Sequence, residues 1–232
     1  IVKEVEGGLK KGDWVLDIGA NDGTLLRGYP DNVLTIAVDP APFYLSASLQ
    51  PPTLKFPYFW PLEYKSFIEH PPSPQAKVIT SIACLYDADD PHAFVEAIKQ
   101  TLAPDGVWVA QFQDADSILI QNAIDYFCHE HLCLYGIETF SRLVGAHGLR
   151  IRDVQPRTIN GGSLRFFVEH GMEERDRWVA APTASRWERF RGKAENLRHH
   201  ARLPLLEAAN SAKRVYGVAA STKANTLLQW YG

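Results

Sequence analysis

Four short apolar runs mark the first half of the chain: WVLDIG (Trp14 to Gly19), LTIAVD (Leu34 to Asp39), VITSIACLY (Val78 to Tyr86) and VWVAQF (Val107 to Phe112). Runs of this length separated by helix-length stretches are the pattern of buried parallel strands joined by crossover helices, which predicts a doubly wound α/β sheet. Between the third and fourth runs, Asp90-Pro91 offers an N-cap followed by a first-turn proline. Phe94, Val95, Ile98 and Leu102 then recur at helical spacing up to a turn at Pro104-Asp105-Gly106.

The remaining segments are read in the same way. Seven prolines between Pro51 and Gln75 exclude a long helix there and permit only a short strand. Phe140, Leu143, Val144 and His147 form one helical face closed by Gly148. Leu149 to Val154 and Ser163 to His170 read as strands joined through Asn160-Gly161-Gly162, an antiparallel pair ending an otherwise parallel sheet. From Thr183 to Arg214 the chain is Arg-rich and helical, with Trp187, Phe190, Ala194 and Leu197 on the apolar face and Pro204 as a kink. Arg214 to Ser221 and Ala224 to Gly232 then read as strand, small-residue loop and helix, the opening of a second nucleotide fold. The expected division is residues 1–171 as one domain and 172–232 as a linker helix plus the start of another.

Composition narrows the function classes. At 232 residues, with hydrophobic residues at 46% and charged residues at 22%, the chain is an ordinary globular one. A formal net charge of −3 provides no general attraction to nucleic acid or anionic membranes, so a small-molecule partner is expected. The Arg-rich helix reads as a solvated face, with an anionic partner as the weaker alternative. No apolar run reaches the length of a membrane helix, and three sparse cysteines suit a reducing cytoplasm better than a disulfide scaffold. The start at Ile1 and the stop just after a motif lead us to expect a trimmed piece of a longer protein.

The densest chemistry lies in VLDIGANDGTLL, Val15 to Leu26. A strand runs into Asp17-Ile18-Gly19, Gly23 follows, and a helix is expected next, whose free N–H groups would face a polar ligand. Asp39 ends the following strand, where a carboxylate can accept from both hydroxyls of a ribose. The D-x-G-x-x-x-G spacing departs from the dinucleotide pattern G-x-G-x-x-G and favours S-adenosylmethionine. Leu85, Tyr86 and Asp87, after the third strand, would complete the pocket at the carboxyl edge of the sheet.

A second cluster, YFCHEHLCLYG from Tyr126 to Gly136, follows the fourth strand at the same edge. His129 and His131 can share a face only in extended backbone. A histidine there has the right chemistry for a general base, and Glu130 could orient it or raise its basicity. Two other readings stay open: histidines satisfied within the core, or a metal held by Cys128, His131 and Cys133. Two cysteines without a second pair make poor zinc geometry, so no metal is assigned.

With these motifs, the first part resembles a class I S-adenosylmethionine-dependent methyltransferase, a Rossmann-like sheet, mostly parallel with an antiparallel last strand. No N/D-P-P-Y/F run follows the third strand, which argues against the amino-methyltransferases of bases and glutamine. H-E-H, then NGGS (Asn160 to Ser163), then Y-G-x-x-x-S-T-K-x-N-T-L-L (Tyr216 to Leu228) resemble, in this order, the sugar-nucleotide C-methyltransferases. The resemblance implies a cofactor site at Asp17, Gly19, Ala20, Asn21, Gly23, Asp39, Pro40, Leu85 and Tyr86, with S-adenosylhomocysteine as product. It implies His131 as catalytic base, Glu130 and His129 as its partners, and Tyr135 or His129 as donors to an oxyanion.

Asn160, Gly161, Gly162, Lys223 and Asn225 would face a nucleotide-linked keto sugar. The glycine-rich turn also reads as a plain hairpin turn and Lys223 as a solvated lysine, the alternative to a diphosphate ligand. In the family a zinc-binding region precedes the methyltransferase core; this chain does not contain it. Cys128, Asn160 and Ala224 stand where better-studied members have Tyr, His and Gly. The competing functions are a small-molecule O-methyltransferase using the same histidine, and a non-catalytic nucleotide-binding module.

Overall fold

A computed structural model describes residues 1–41, 54–61, 75–172, 184–217 and 221–231. Seven strands form one sheet in the order β3-β2-β1-β4-β5-β7-β6. They are β1 (Trp14–Ile18), β2 (Leu34–Val38), β3 (Leu54–Phe56), β4 (Ala76–Ile82), β5 (Leu102–Gln113), β6 (Leu149–Arg157) and β7 (Ser163–His170). All pairings are parallel except β5 with β7 and β6 with β7. This is the expected doubly wound sheet with an antiparallel end. Among the described residues the α-helices are α1 (Val2–Val5), α2 (Pro91–Thr101), α3 (Ala115–Gln121), α4 (Ile137–Gly145), α5 (Ala184–Asn210) and α6 (Thr222–Tyr231). No helix among the described residues is long and apolar enough to cross a membrane.

The inner strands β1, β2, β4, β5 and β7 are largely buried because both their faces are covered, whereas the edge strands β3 and β6 carry exposed positions. Leu16, Ile18, Ile79, Trp108, Phe112 and Phe166 point to one side and pack with Phe94, Ile98 and Phe140 of α2 and α4. Val15, Ala37, Val78, Val109 and Phe167 point to the other and meet Val5, Leu26 and Tyr29. Asp90 caps α2, its carboxylate accepting from the Ala93 N–H at 2.9 Å, with Pro91 in the first turn.

Several expectations change. The turn at Pro104-Asp105-Gly106 lies inside β5, where the register steps from Ala76 opposite Leu102 to Val78 opposite Val107. Residues 103–106 therefore bulge out of the ladder. A Cβ on Gly106 would sit 2.8 Å from the Leu102 side chain and 3.0 Å from two carbonyl oxygens, so only glycine fits. The third predicted strand ends at Ile82, and Leu85–Asp87 forms a 3-10 turn instead. No α-helix follows Gly23: Leu26–Gly28 is a single 3-10 turn, because Pro30 lies too near for a long helix before β2. Residues 213–217 form no strand. Most of the proline-rich stretch, residues 173–183 just after the expected boundary near residue 172, and residues 218–220 fall outside the described residues.

Candidate functional site

At the carboxyl ends of β1 and β2 the backbone makes a sharp corner. Gly19 has φ +70°, and the N–H groups of Gly19 and Ala20 both donate to the Val38 carbonyl, at 2.8 and 3.3 Å. A Cβ on Gly19 would lie 3.2 Å from that of Cys84, so the bend can press against the end of β4 only with glycine. Asn21 and Gly23 also take positive φ, and the Gly23 N–H closes a turn on the Ala20 carbonyl at 2.8 Å.

The Asp39 carboxylate spans this corner, one oxygen accepting from the Asn21 N–H and the other from the Ala41 N–H, each at 2.8 Å. Both oxygens keep a second lone pair. The helix N-terminus expected to face a ligand is missing, and these bent-backbone amides take its place in shaping the corner. Ala20 is buried, while Asn21 and Pro40 are exposed at the rim.

Asp17 lies beneath, 3% exposed, accepting from the Thr80 hydroxyl at 2.5 Å across the β1–β4 pairing. Burial pushes its carboxyl up to about 7 against the Thr80 hydrogen bond, and the Asp39 charge adds to the rise. Asp87 is also pushed up to about 7, by partial burial and then by the Glu130 charge. Burial raises the Cys84 thiol, with Asp17, Asp87 and Asp39 all acting on it. Carboxylates thus concentrate around one corner of the sheet edge. A site of this kind suits a ligand bearing positive charge, and an aliphatic sulfonium with an α-ammonium group is such a ligand. Thr80 was not anticipated; its signal was the register, which sets it opposite Asp17.

The histidine segment approaches from the neighbouring strand. After α3 a 3-10 turn at Ile124–Tyr126 leads into a loop reaching Gly136. The Leu132 and Cys133 N–H groups both donate to the Tyr86 carbonyl, at 2.9 and 3.1 Å, which ties the loop to the residues after β4. His131 Nδ1 lies 2.8 Å from the Tyr126 carbonyl oxygen. A carbonyl can only accept, so Nδ1 carries a hydrogen, and in the neutral ring it is Nε2 that holds the lone pair. The imidazole packs edge-on to Tyr86, with centroids 4.5 Å apart, and against Tyr126 at 5.1 Å.

The other predicted site residues are distributed unevenly. A turn closed by the His131 N–H on the Cys128 carbonyl sets His129 and Glu130 at an exposed corner, and the extended backbone needed for two histidines on one face is absent. Leu85 is buried in the core. The Tyr135 ring packs on Phe112 and Phe140, at 5.5 and 6.3 Å, and its hydroxyl is buried and held protonated by that burial.

Gly161 and Gly162 press on α3: a Cβ on Gly162 would meet the Ser117 hydroxyl at 3.1 Å, and the Gln121 amide donates to the Gly161 carbonyl. Asn160 sits in the 3-10 turn Ile159–Gly161. Lys223 places Nζ 3.7 Å from the Asp125 carboxylate and 3.9 Å from the Tyr126 ring centroid, and Asn225 donates its N–H to the Ser221 carbonyl in the first turn of α6. Among the described residues no group of three or more His, Cys, Asp or Glu side chains is set to hold a metal.

Comparison with known proteins bears on these features. Residues 2–154 match the family described as a methyltransferase domain, and residues 158–232 match the C-methyltransferase C-terminal domain. The C-methyltransferase NovU of Streptomyces niveus is 25% identical over 95% of this chain, which spans 56% of that relative's length. The 1,6-didemethyltoxoflavin-N1-methyltransferase of Burkholderia thailandensis, solved with bound S-adenosylhomocysteine, shares the fold at a TM-score of 0.54 and 16% identity, over 73% of this chain and 76% of that one. The N-methyltransferase NodS from Bradyrhizobium japonicum WM9 does so at 0.54 and 12%, over 73% and 92%.

Proposed function

The chain belongs to the methyltransferase-domain family as a class I S-adenosylmethionine-dependent methyltransferase, and on that footing we propose that it methylates carbon in a nucleotide-linked keto sugar, with neutral His131 as the general base. The observation that carries this reading is the hydrogen bond from His131 Nδ1 to the Tyr126 carbonyl. It fixes the tautomer whose Nε2 can take a proton, on a loop tied through Tyr86 to the carboxylate-lined corner. The carbon acceptor rests on the match to the C-methyltransferase C-terminal domain and on the NovU relative.

When bound, S-adenosylmethionine supplies an electrophilic methyl group on a cationic sulfur. The residues that fit it are Asp17, the Gly19 to Gly23 corner, Asp39 and Pro40, with Leu85 and Tyr86 behind. Asp39 offers its free lone pairs to ribose hydroxyls, and Asp17 offers a carboxylate whose ionised form a neighbouring cation stabilises. His131 Nε2 removes the proton from the carbon beside the ketone; the resulting enolate oxygen needs a hydrogen-bond donor, a role for which His129 at the exposed corner and the buried Tyr135 hydroxyl would have to turn towards the site. Glu130, adjacent to His131 in the loop, is the candidate to balance the charge of the imidazolium that forms.

Asn160, the Gly161-Gly162 turn and Asn225 are the candidates for contact with the sugar nucleotide. Residues 1–171 hold the completed sheet, which ends at His170, and residues 172–232 begin the part that helps hold the sugar nucleotide. Three free cysteines and charged, water-soluble reactants suit a cytoplasmic setting. The test is solvent deuterium exchange at the acceptor carbon together with product analysis by NMR. His131→Asn should abolish exchange and leave S-adenosylhomocysteine affinity unchanged; unimpaired turnover in that variant, or an O-methyl product from the wild type, would end the proposal.

A further inference from the structure

The segment Asp125-Tyr126-Phe127 is where the C-terminal helices touch the loop that carries His131. Lys223, in the first turn of α6, holds Nζ 3.9 Å from the Tyr126 ring centroid and 3.7 Å from the Asp125 carboxylate. Phe127 meets Trp187 and Phe190 of α5, with centroids at 6.3 and 5.3 Å. Arg186, on the same helix, pairs with Asp116 of α3 at 2.7 Å. Tyr126 in turn touches His131 twice, through its carbonyl at 2.8 Å and its ring at 5.1 Å.

The far side of this segment faces an open groove, although Ile124 and Tyr126 are themselves buried. The groove, of about 670 Å³, runs between Ile124, Phe127, Trp187, Phe190 and Trp230. A filled core would hold the segment by shape alone. With a groove on its flank, the segment is held on that side by directional contacts added to its packing, and among them the ammonium lies over the face of Tyr126, whose carbonyl holds His131. The Asp125 pair is partly exposed and by itself worth little; its carboxylate steers Lys223 towards the ring.

We propose that Lys223 is a positioning residue that acts through Tyr126 to aim the His131 imidazole, so that seating of the C-terminal helices and orientation of the base are coupled. This rests on the reading of His131 as the base. It also assigns Lys223 a role other than ligation of a diphosphate: its charge is engaged by the loop.

The test compares wild type, Lys223→Met, Lys223→Arg and His131→Asn in the full chain. Lys223→Met keeps the apolar stem and removes the charge. Nitrogen-15 NMR of the His131 ring should change from the single Nδ1–H tautomer to an averaged one. With a panel of nucleoside-diphosphate keto sugars, kcat should fall about five- to tenfold, with KM for both reactants and S-adenosylhomocysteine affinity unchanged. Lys223→Arg, which also stacks on an aromatic face, should restore both readouts.

A wild-type His131 spectrum and kcat in Lys223→Met would overturn the inference. So would a raised KM for the sugar nucleotide at unchanged kcat, which marks a diphosphate ligand. Unimpaired turnover in His131→Asn with a changed spectrum in Lys223→Met would instead remove the base reading and leave the positioning contact standing.

Discussion

The cofactor corner and the histidine loop meet at one sheet edge but are built differently. The corner is made of backbone: Gly19 and Ala20 share the Val38 carbonyl, and Asn21 is tied to Asp39, all within one strand-turn-strand unit backed by Thr80 and Cys84. The loop is made of borrowed contacts: a carbonyl and a ring from Tyr126, a ring and a carbonyl from Tyr86, and a lysine from α6. The first is stiff because strands on both sides fix it. The second can be adjusted, since each contact comes from a separate element. Binding of the cofactor and removal of the proton should therefore be separable by mutation.

The largest effect expected from breaking that separation is at His131. His131→Asn should lower kcat by about 10²- to 10⁴-fold, the usual worth of a general base, with cofactor affinity intact; a parallel loss of affinity would show the two regions to be one. Steady-state kinetics beside calorimetry decides it.

Acidity sharpens the comparison next. With Asp17 at about 7, and its ionised form matched to a cationic ligand, S-adenosylmethionine should bind about tenfold more weakly at pH 6 than at pH 8. Asp17→Asn should flatten that profile. Without ligand the sign reverses: the unfolded chain ionises Asp17 near its ordinary value of 3.8 while the folded chain keeps the proton. Stability therefore falls as pH rises from about 4 to about 7 and is level above. Thermal melts of wild type and Asp17→Asn across that window check the difference.

The smallest effect serves as a control outside both regions. Asp90→Ala removes the α2 cap and should lower stability by about 1 kcal/mol. It should change neither cofactor affinity nor kcat per folded molecule, as denaturant unfolding and kinetics would show.

What was legible in the sequence follows the same division. β1, its glycine bend and Asp39 stand within a few residues of one another, so pattern and chemistry point to them together. The antiparallel end was readable because Asn160-Gly161-Gly162 separates two strand-like runs. The apolar pattern predicts a helix after Gly23, but too little chain remains before Pro30 and β2 to hold more than a single 3-10 turn. The bulge at 103–106 depends on pairing with Ala76, a contact distant in sequence. His131 was visible as a candidate, but its tautomer depends on a carbonyl oriented by the 3-10 turn at Ile124–Tyr126. Thr80 beneath Asp17 and Lys223 over Tyr126 are likewise products of folding.

The claim on which the rest depends is that the bend at Gly19 to Gly23 and Asp39 together hold the adenosine cofactor. Calorimetric titration with S-adenosylhomocysteine tests it directly. The account predicts one site in wild type and in His131→Asn with equal affinity, and binding weaker by about 10²-fold in Asp39→Ala, the worth of hydrogen bonds to a charged acceptor. Equal binding in Asp39→Ala and wild type, or no binding in either, would contradict it.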